Sequence, residues 1–171
     1  SVLETCKKLT DAGLEVIYLK PAHDGKVLPE DLKNALTDNT LLVSMMLVNN
    51  ETGAINDIQK LASLTKKINK NSLFMSDGVQ AYGKLPVKLH STSVDLYTIS
   101  GHKVHAPKGI GALYVKKGVK IAPVFWGGGQ ERNLRSGTEN VANIVCLGEI
   151  ADKIPHADKN SCVDFKVLKN T

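Results

Sequence analysis

The sequence predicts an α/β fold in which a mostly parallel β-sheet is flanked by helices. Segments with the three-and-four spacing of amphipathic helices alternate along the chain with short apolar segments of strand length. In addition, the apolar segment 41–48 does not alternate with polar residues, which is typical of a strand buried on both faces of a parallel sheet.

The first half of the chain contains two predicted helices and two predicted strands. Residues 1–12 carry apolar side chains on one helical face, and the glycine that follows them is a typical helix terminator. The apolar run 14–19 has the length and the β-branched and aromatic content of a strand. Pro29 and the two acids after it suit the first turn of a helix that ends near Leu36. The strand over 41–48 follows.

The second half continues the alternation. Residues 58–68 show helical spacing of apolar side chains, and the runs 73–76, 94–99 and 110–115 are typical of strands. A last helix over 139–154 is predicted to have an inner face made of Val141, Ile144, Val145, Gly148 and Ala151. We therefore expect one domain over 1–154, which is followed by a divergent tail of unclear structure over 155–171.

Composition excludes several classes of protein. The 171 residues are 42% hydrophobic and carry a formal net charge of +5, which fits a globular chain and excludes general disorder. No window is apolar enough for a membrane span, and the lysine pairs lack interleaved aromatic residues, so neither a membrane nor a nucleic acid is an expected partner. The three cysteines form no CxxC pair, which favours a reducing compartment: the cytoplasm, or the mitochondrion in a eukaryote. Cys6 and Cys146 are predicted to be packing residues and Cys162 a surface thiol.

Polar side chains follow three successive predicted strands. Asn50 follows the first strand, Asp77 and Gln80 the second, and Ser100 and the His102–Lys103 pair the third. The carboxyl ends of parallel strands meet at one edge of a sheet, where ligands bind. A lysine amine can bind a carbonyl cofactor covalently, and a carboxylate can hold a pyridine nitrogen protonated. This pattern favours pyridoxal phosphate, with a generic phosphate or sugar site as the alternative.

Other site types fit less well. His102 and His105 are three residues apart but have no cysteine or carboxylate nearby, so no metal site is predicted. No GxSxG motif is present, which argues against a hydrolase. The glycine-rich segment 127–140, which contains Thr138, precedes a helix and is interpreted either as an anion-binding loop or as a flexible capped loop.

Four motifs together resemble the cysteine desulfurases of the NifS/IscS type, which are class V, fold-type I pyridoxal-phosphate enzymes. The motifs are NNETG (49–53), SDGVQAYGKLPV (76–87), SGHKVHAPKGIGALYV (100–115) and GGGQERNLRSGTEN (127–140). The resemblance runs from Ser1 to about Lys153 and implies that the chain is part of the large domain of such an enzyme.

The resemblance implies roles for individual residues. Lys103 matches the catalytic lysine that binds pyridoxal 5'-phosphate covalently, and Asp77 matches the aspartate that pairs with the pyridine nitrogen. The remaining matches are Asn50 and Gln80 near the phenolic oxygen of the ring, Ser100 and His102 as phosphate ligands, and Thr138 as a ligand to the phosphate in the partner subunit of a homodimer.

The implied reaction converts L-cysteine to L-alanine and passes the sulfur as a persulfide to an acceptor. The expected acceptor is a protein such as an iron–sulfur scaffold, or a protein that uses the sulfur to make thiolated nucleotides. The family's ring-stacking histidine, nucleophilic cysteine and substrate-binding arginine have no match here, so the chain is expected to be an inactive fragment when isolated. A selenocysteine lyase or another class V lyase is the alternative activity.

Overall fold

A four-stranded β-sheet forms the centre of the molecule in the computed structural model, which describes residues 2–154. The strands are β1 (Leu42–Met46), β2 (Leu73–Asp77), β3 (Leu96–Ser100) and β4 (Gly111–Val115), in the spatial order β1-β2-β3-β4. The pairs β1–β2 and β2–β3 are parallel, and β4 is antiparallel to β3. The prediction of an α/β fold with a mostly parallel sheet is confirmed. The tail predicted over 155–171, with Cys162, lies outside the described residues.

Helices occur at all four predicted places. They are α1 (Val2–Asp11), α2 (Pro29–Ala35), α3 (Ile58–Ile68) and, after a short helical turn α4 (Gln130–Asn133), α5 (Val141–Lys153). Two 3-10 helices, Leu89–Ser91 and Gly101–Val104, lie before and after β3. The predicted boundaries of the helices agree with the structure to within two residues, because capping and periodicity are local properties of the sequence.

The hydrophobic core lies on one face of the sheet. The strand register places Val43, Phe74 and Tyr97 on this face, and all three side chains are buried. Helix α3 covers them with an apolar stripe that includes Leu61 and Ala62, which are almost completely buried. We call this side of the sheet the covered face.

The opposite face of the sheet is only partly covered among the described residues, since Leu96 on β3 is buried there but both outer strands expose apolar side chains. Leu42 on β1 is 46% exposed and Leu113 on β4 is also 46% exposed, whereas Val43 on the covered face is 8% exposed. The prediction that residues 41–48 are buried on both faces is therefore wrong for the part of the chain that the structure describes. A uniformly apolar run shows that both faces favour burial, but it cannot supply the layer that buries the second face.

Residues 14–19 do not form the predicted strand. No residue of this segment takes part in a β-ladder within residues 2–154, and Ile17 and Tyr18 are more than half exposed. A strand exists only through hydrogen bonds to a neighbouring strand, and β-propensity alone does not provide that neighbour.

The predicted inner face of α5 is not buried against the described residues. Val141 is 63% exposed, Val145 is 56% exposed and Cys146 is exposed, so the packing role predicted for Cys146 is wrong here. Helix α1 likewise buries none of its residues, and Cys6 on it is only partly buried. The helical pattern correctly predicts the helices, but it does not specify which surface covers them.

Loss of the cap of α3 is expected to destabilise the chain moderately. Asp57 is the N-cap residue, and its Oδ1 accepts a hydrogen bond from the backbone N–H of Lys60 at 2.9 Å. We expect Asp57→Ala to lower the free energy of unfolding in urea by about 1 kcal/mol, because a backbone donor loses its partner. Asp57→Asn retains a capping oxygen, so its free energy of unfolding should fall much less. Equal losses of stability in the two variants would contradict the capping role.

Candidate functional site

The polar residues predicted at the strand ends lie at one edge of the sheet. Strands β1, β2 and β3 are mutually parallel, so their carboxyl ends meet there. Asn50 lies four residues after β1, Asp77 is the last residue of β2, and Ser100 is the last residue of β3. The topology therefore brings these three residues and the short segments after them to a common edge, as the sequence predicts.

Hydrogen bonds fix the end of β2. The Asp77 carboxylate accepts a bond from the Val79 N–H at 2.8 Å, and the Asp77 carbonyl accepts one from the Leu47 N–H at 2.9 Å. Gly78 donates its N–H to the Thr98 carbonyl at 2.9 Å. Both neighbouring strands thus hold the peptide that carries Asp77, and its half-buried carboxylate has little freedom to reorient.

Gly78 is required by close packing rather than by a turn. A Cβ atom at this position would lie 1.8 Å from Cζ and 2.1 Å from Oη of Tyr97. The phenol ring therefore lies directly against the Cα atom of Gly78. Sequence reasoning missed this pair, because it becomes visible only when the register of β2 and β3 is known.

The 3-10 helix after β3 presents the two basic residues. His102 and Lys103 are both exposed, while Gly101 and Val104 on the same turn are buried. Ser100 Oγ and His102 Nδ1 are 2.9 Å apart, so these two predicted phosphate ligands already form one hydrogen-bonded unit. The Lys103 ammonium forms no ion pair or hydrogen bond with any residue from 2 to 154, which leaves its amine accessible to a carbonyl group.

The turn after β1 is organised by Asn49. Its Oδ1 accepts hydrogen bonds from the backbone N–H groups of Glu51 and Thr52, both at 2.9 Å. Asn50 is exposed beside it at the tip of the turn. Asn49 is thus a structural residue that the sequence analysis did not single out, although an Asn at the start of a turn is a known signal for bonds of this kind.

Gln80 occupies the first turn after Asp77. It is partly buried, and its Oε1 accepts a hydrogen bond from the Lys84 ammonium at 3.5 Å, the limit for such a bond. Because a lysine only donates, this contact directs the amide nitrogen of Gln80 away from Lys84.

The glycine-rich segment is internally bonded. The Gly137 N–H donates to the Gln130 side chain at 3.1 Å, and the Ser136 N–H donates to the Phe125 carbonyl at 3.4 Å. Three successive residues in α4, Glu131, Arg132 and Asn133, have left-handed φ values of 48°, 59° and 64°. None of the hydrogen bonds in this segment joins Thr138, which is exposed, to the sheet edge. Six of the seven predicted site residues thus lie at or just after the carboxyl ends of β1, β2 and β3, whereas Thr138 lies in a separate segment of the chain.

Tyr97 has a perturbed acidity. Burial, and to a smaller extent the Asp77 carboxylate, raise the pKa of Tyr97 to about 12. Its hydroxyl is buried without a hydrogen-bond partner among the described residues. Residues 2–154 contain no group of three or more side chains that could hold a metal ion.

A family model described as "Aminotransferase class-V" matches residues 1–162. The chain belongs to the class-V aminotransferase family. Among curated proteins it is similar to the cysteine desulfurase of Nostoc sp. (strain PCC 7120), with 46% identity over 152 residues that cover 89% of this chain and 38% of that protein. The predicted resemblance to the cysteine desulfurases is confirmed.

The chain is also similar to solved structures. A NifS-like protein superposes with a TM-score of 0.87 and 43% identity, and covers 90% of this chain and 42% of that one. A structure described as SspA in complex with cysteine superposes with a TM-score of 0.86 and 34% identity, and covers 99% of this chain and 49% of the other. The chain therefore spans less than half the length of these proteins. No helix among residues 2–154 has both the length and the apolar character needed to cross a membrane.

Proposed function

We propose that the chain supplies the cofactor-binding sheet edge of a pyridoxal-phosphate-dependent cysteine desulfurase. The observation that supports this proposal is topological: Asp77, a carboxylate that accepts a backbone bond, ends β2, and the exposed Lys103 follows the neighbouring parallel strand β3 at the same edge of the sheet. Relatives named as cysteine desulfurases support the choice of reaction. The residues 1–154 would form part of the large domain of this enzyme.

The donor set fits pyridoxal 5'-phosphate. The cofactor supplies an electron-accepting ring that stabilises negative charge on a substrate carbon. In our proposal the Lys103 amine holds its carbonyl carbon and moves the proton at the substrate carbon, while Asp77 holds the proton on the ring nitrogen. Asn50 and Gln80 would hold the phenolic oxygen of the ring, to which the amide nitrogen of Gln80 could donate because its Oε1 already accepts from Lys84.

The phosphate is assigned to the Ser100–His102 unit. In the hydrogen-bonded pair of the Ser100 hydroxyl and the His102 imidazole, 2.9 Å apart, one hydrogen is used between the two groups and the other remains free to donate to an anion. Thr138 is assigned to the phosphate of a partner subunit, since the hydrogen bonds of its own segment do not tie it to the sheet edge. This assignment requires a homodimer with the cofactor near the interface.

The proposed reaction converts L-cysteine to L-alanine in a reducing compartment, the cytoplasm or mitochondrion. The substrate sulfur passes to a protein thiol as a persulfide, and from there to an acceptor such as an iron–sulfur scaffold protein. The related structure described in complex with cysteine supports cysteine as the substrate. Cys6 and Cys146 lie within α1 and α5 and are not assigned the persulfide.

Replacement of Lys103 tests the cofactor assignment. We expect the chain mixed with pyridoxal phosphate to develop a visible absorption band that borohydride abolishes, with the reduced cofactor covalently attached to the peptide that contains residue 103. Lys103→Ala should abolish both the band and the attachment, because our proposal assigns the covalent bond to the amine of Lys103 alone. Lys108→Ala removes an exposed lysine five residues away and serves as the matched control. Attachment that persists in Lys103→Ala would refute the assignment.

A further inference from the structure

The direction of the Asn50 side chain depends on the backbone that carries it. The side chain is exposed and forms no hydrogen bond with any residue from 2 to 154. In the proposed function its amide holds the phenolic oxygen of the cofactor ring. An exposed side chain on an unconstrained turn takes many directions, and ordering it on binding costs affinity. The backbone around Asn50 therefore determines how well this residue can serve the cofactor.

Asn49 closes a hydrogen-bonded ring around the backbone of Asn50. Its Oδ1 accepts the N–H of Glu51 at 2.9 Å, so the bond spans Asn50 and restrains the dihedral angles on both sides of the Asn50 Cα atom. The same oxygen accepts the N–H of Thr52, also at 2.9 Å. Asn49 is partly buried, whereas Asn50 is exposed. The first asparagine of the pair thus builds the turn, and the second is presented by it.

The base of this turn is fixed to the end of β1. The backbone N–H of Asn56 donates to the Leu47 carbonyl at 2.8 Å. The Asn56 side chain is buried, and its amide donates to the carbonyl of Met46, the last residue of β1, at 2.9 Å. Its Oδ1 accepts the Val27 N–H at 2.9 Å, so both ends of the amide are used. With the base held in this way, the bonds at the tip of the turn decide the direction of Asn50.

We propose that Asn49 is a positioning residue for Asn50. Its side-chain oxygen holds the backbone of Asn50 in the conformation that directs the Asn50 amide at the phenolic oxygen, before the cofactor binds. This inference rests on the proposed function, which assigns that oxygen to Asn50. Asn49 itself contacts neither cofactor nor substrate, because its Oδ1 is already occupied by two backbone donors, and it acts only through Asn50.

The first test is Asn49→Ala, measured as the dissociation constant of the chain for pyridoxal phosphate. We expect this constant to rise about fivefold, since the Asn50 amide must then be ordered on binding. Asn49→Ser keeps a neutral oxygen that accepts the same backbone N–H groups more weakly, so its constant should lie between those of Asn49→Ala and the unchanged chain. The matched control is Thr37→Ala, which removes a hydroxyl that accepts the Asn39 N–H at 3.2 Å in an exposed turn before β1. Its cofactor affinity should not change.

A double variant separates positioning from a general effect on the fold. Asn50→Ala removes the proposed donor and should raise the dissociation constant about tenfold. Because Asn49 acts only through Asn50, the variant that carries both Asn49→Ala and Asn50→Ala should also bind about tenfold more weakly than the unchanged chain. Independent effects of the two residues would instead multiply to about fiftyfold.

The results separate failure of this inference from failure of the proposed function. An unchanged dissociation constant in Asn49→Ala or Asn50→Ala, an Asn49→Ser variant that binds no better than Asn49→Ala, or multiplied losses in the double variant would overturn the inference. The Lys103-dependent absorption band would then leave the proposed function intact. Absence of that band in the unchanged chain would overturn the proposed function and this inference together.

Discussion

Gly78→Ala is expected to cause one of the two largest losses of stability in the chain, about 3 kcal/mol. The added methyl group would lie 1.8 Å from Cζ of Tyr97, a distance at which one of the two must move. Tyr97 is buried among core residues and cannot rotate away, and backbone bonds to Thr98 hold the Gly78 peptide. Urea denaturation of the cofactor-free chain measures the loss.

Two further variants separate the clash from the general cost of replacing glycine. Gly148 lies inside α5, and a methyl group added to it would have no neighbouring atom within 4 Å, so Gly148→Ala should raise the free energy of unfolding by about 0.5–1 kcal/mol. Tyr97→Leu removes the atoms that clash, and combined with Gly78→Ala it should be less destabilising than the sum of the single changes. Additive losses would show that the ring is not the obstacle.

Asp95→Ala is expected to lower the free energy of unfolding by about 3 kcal/mol or more. The buried carboxylate of Asp95 accepts the Phe74 N–H at 2.8 Å and pairs with the Lys66 ammonium at 2.6 Å. Lys66 also donates to the Ser72 carbonyl at 2.7 Å, so this network joins α3 to the start of β2 and the chain before β3. Removal of the Asp95 carboxylate leaves the buried Phe74 N–H and the partly buried Lys66 ammonium without their acceptor.

The exposed pair between Lys8 and Asp11 provides the control for Asp95. Its atoms are 3.3 Å apart, and both side chains are more than two-thirds exposed, so Asp11→Ala should change stability by less than about 0.5 kcal/mol. The loss of stability in Lys66→Met should lie between those of Asp95→Ala and Asp11→Ala, because Asp95 still accepts the hydrogen bond from the Phe74 N–H. A loss for Asp95→Ala no larger than that for Asp11→Ala would show that burial does not strengthen the network.

The sequence predicts local features of this fold well and the neighbours of each element poorly. Helix α3 and the strand before Asp77 follow from periodicity and capping, which a short window contains. The placement of Asp77 and Lys103 at the same edge of the sheet follows from the parallel pairing of β2 and β3. By contrast, residues 14–19 have strand propensity without a ladder partner, and α5 has an apolar face that no described residue covers.

The sequence also does not predict the contact between Gly78 and Tyr97, because this contact depends on which residues become neighbours in the sheet. The two residues are far apart in sequence, and only the pairing of Ser76 with Tyr97 brings the ring beneath the glycine. A glycine after a strand is usually explained by turn geometry, whereas Gly78 is explained by the space that a neighbour occupies.

The direction of β4 determines how the remainder of the described chain can reach the cofactor edge. β4 starts at Gly111, beside Ser100 at that edge, and runs back so that Val115 leaves the sheet at the far edge. The five-residue strand carries the chain roughly 17 Å away from Lys103. The residues that connect β4 to the glycine-rich segment therefore begin on the opposite side of the sheet from Lys103. Any approach of Thr138 to the Lys103 edge of the same subunit has to be made by this connection, which must cross back over the length of the sheet.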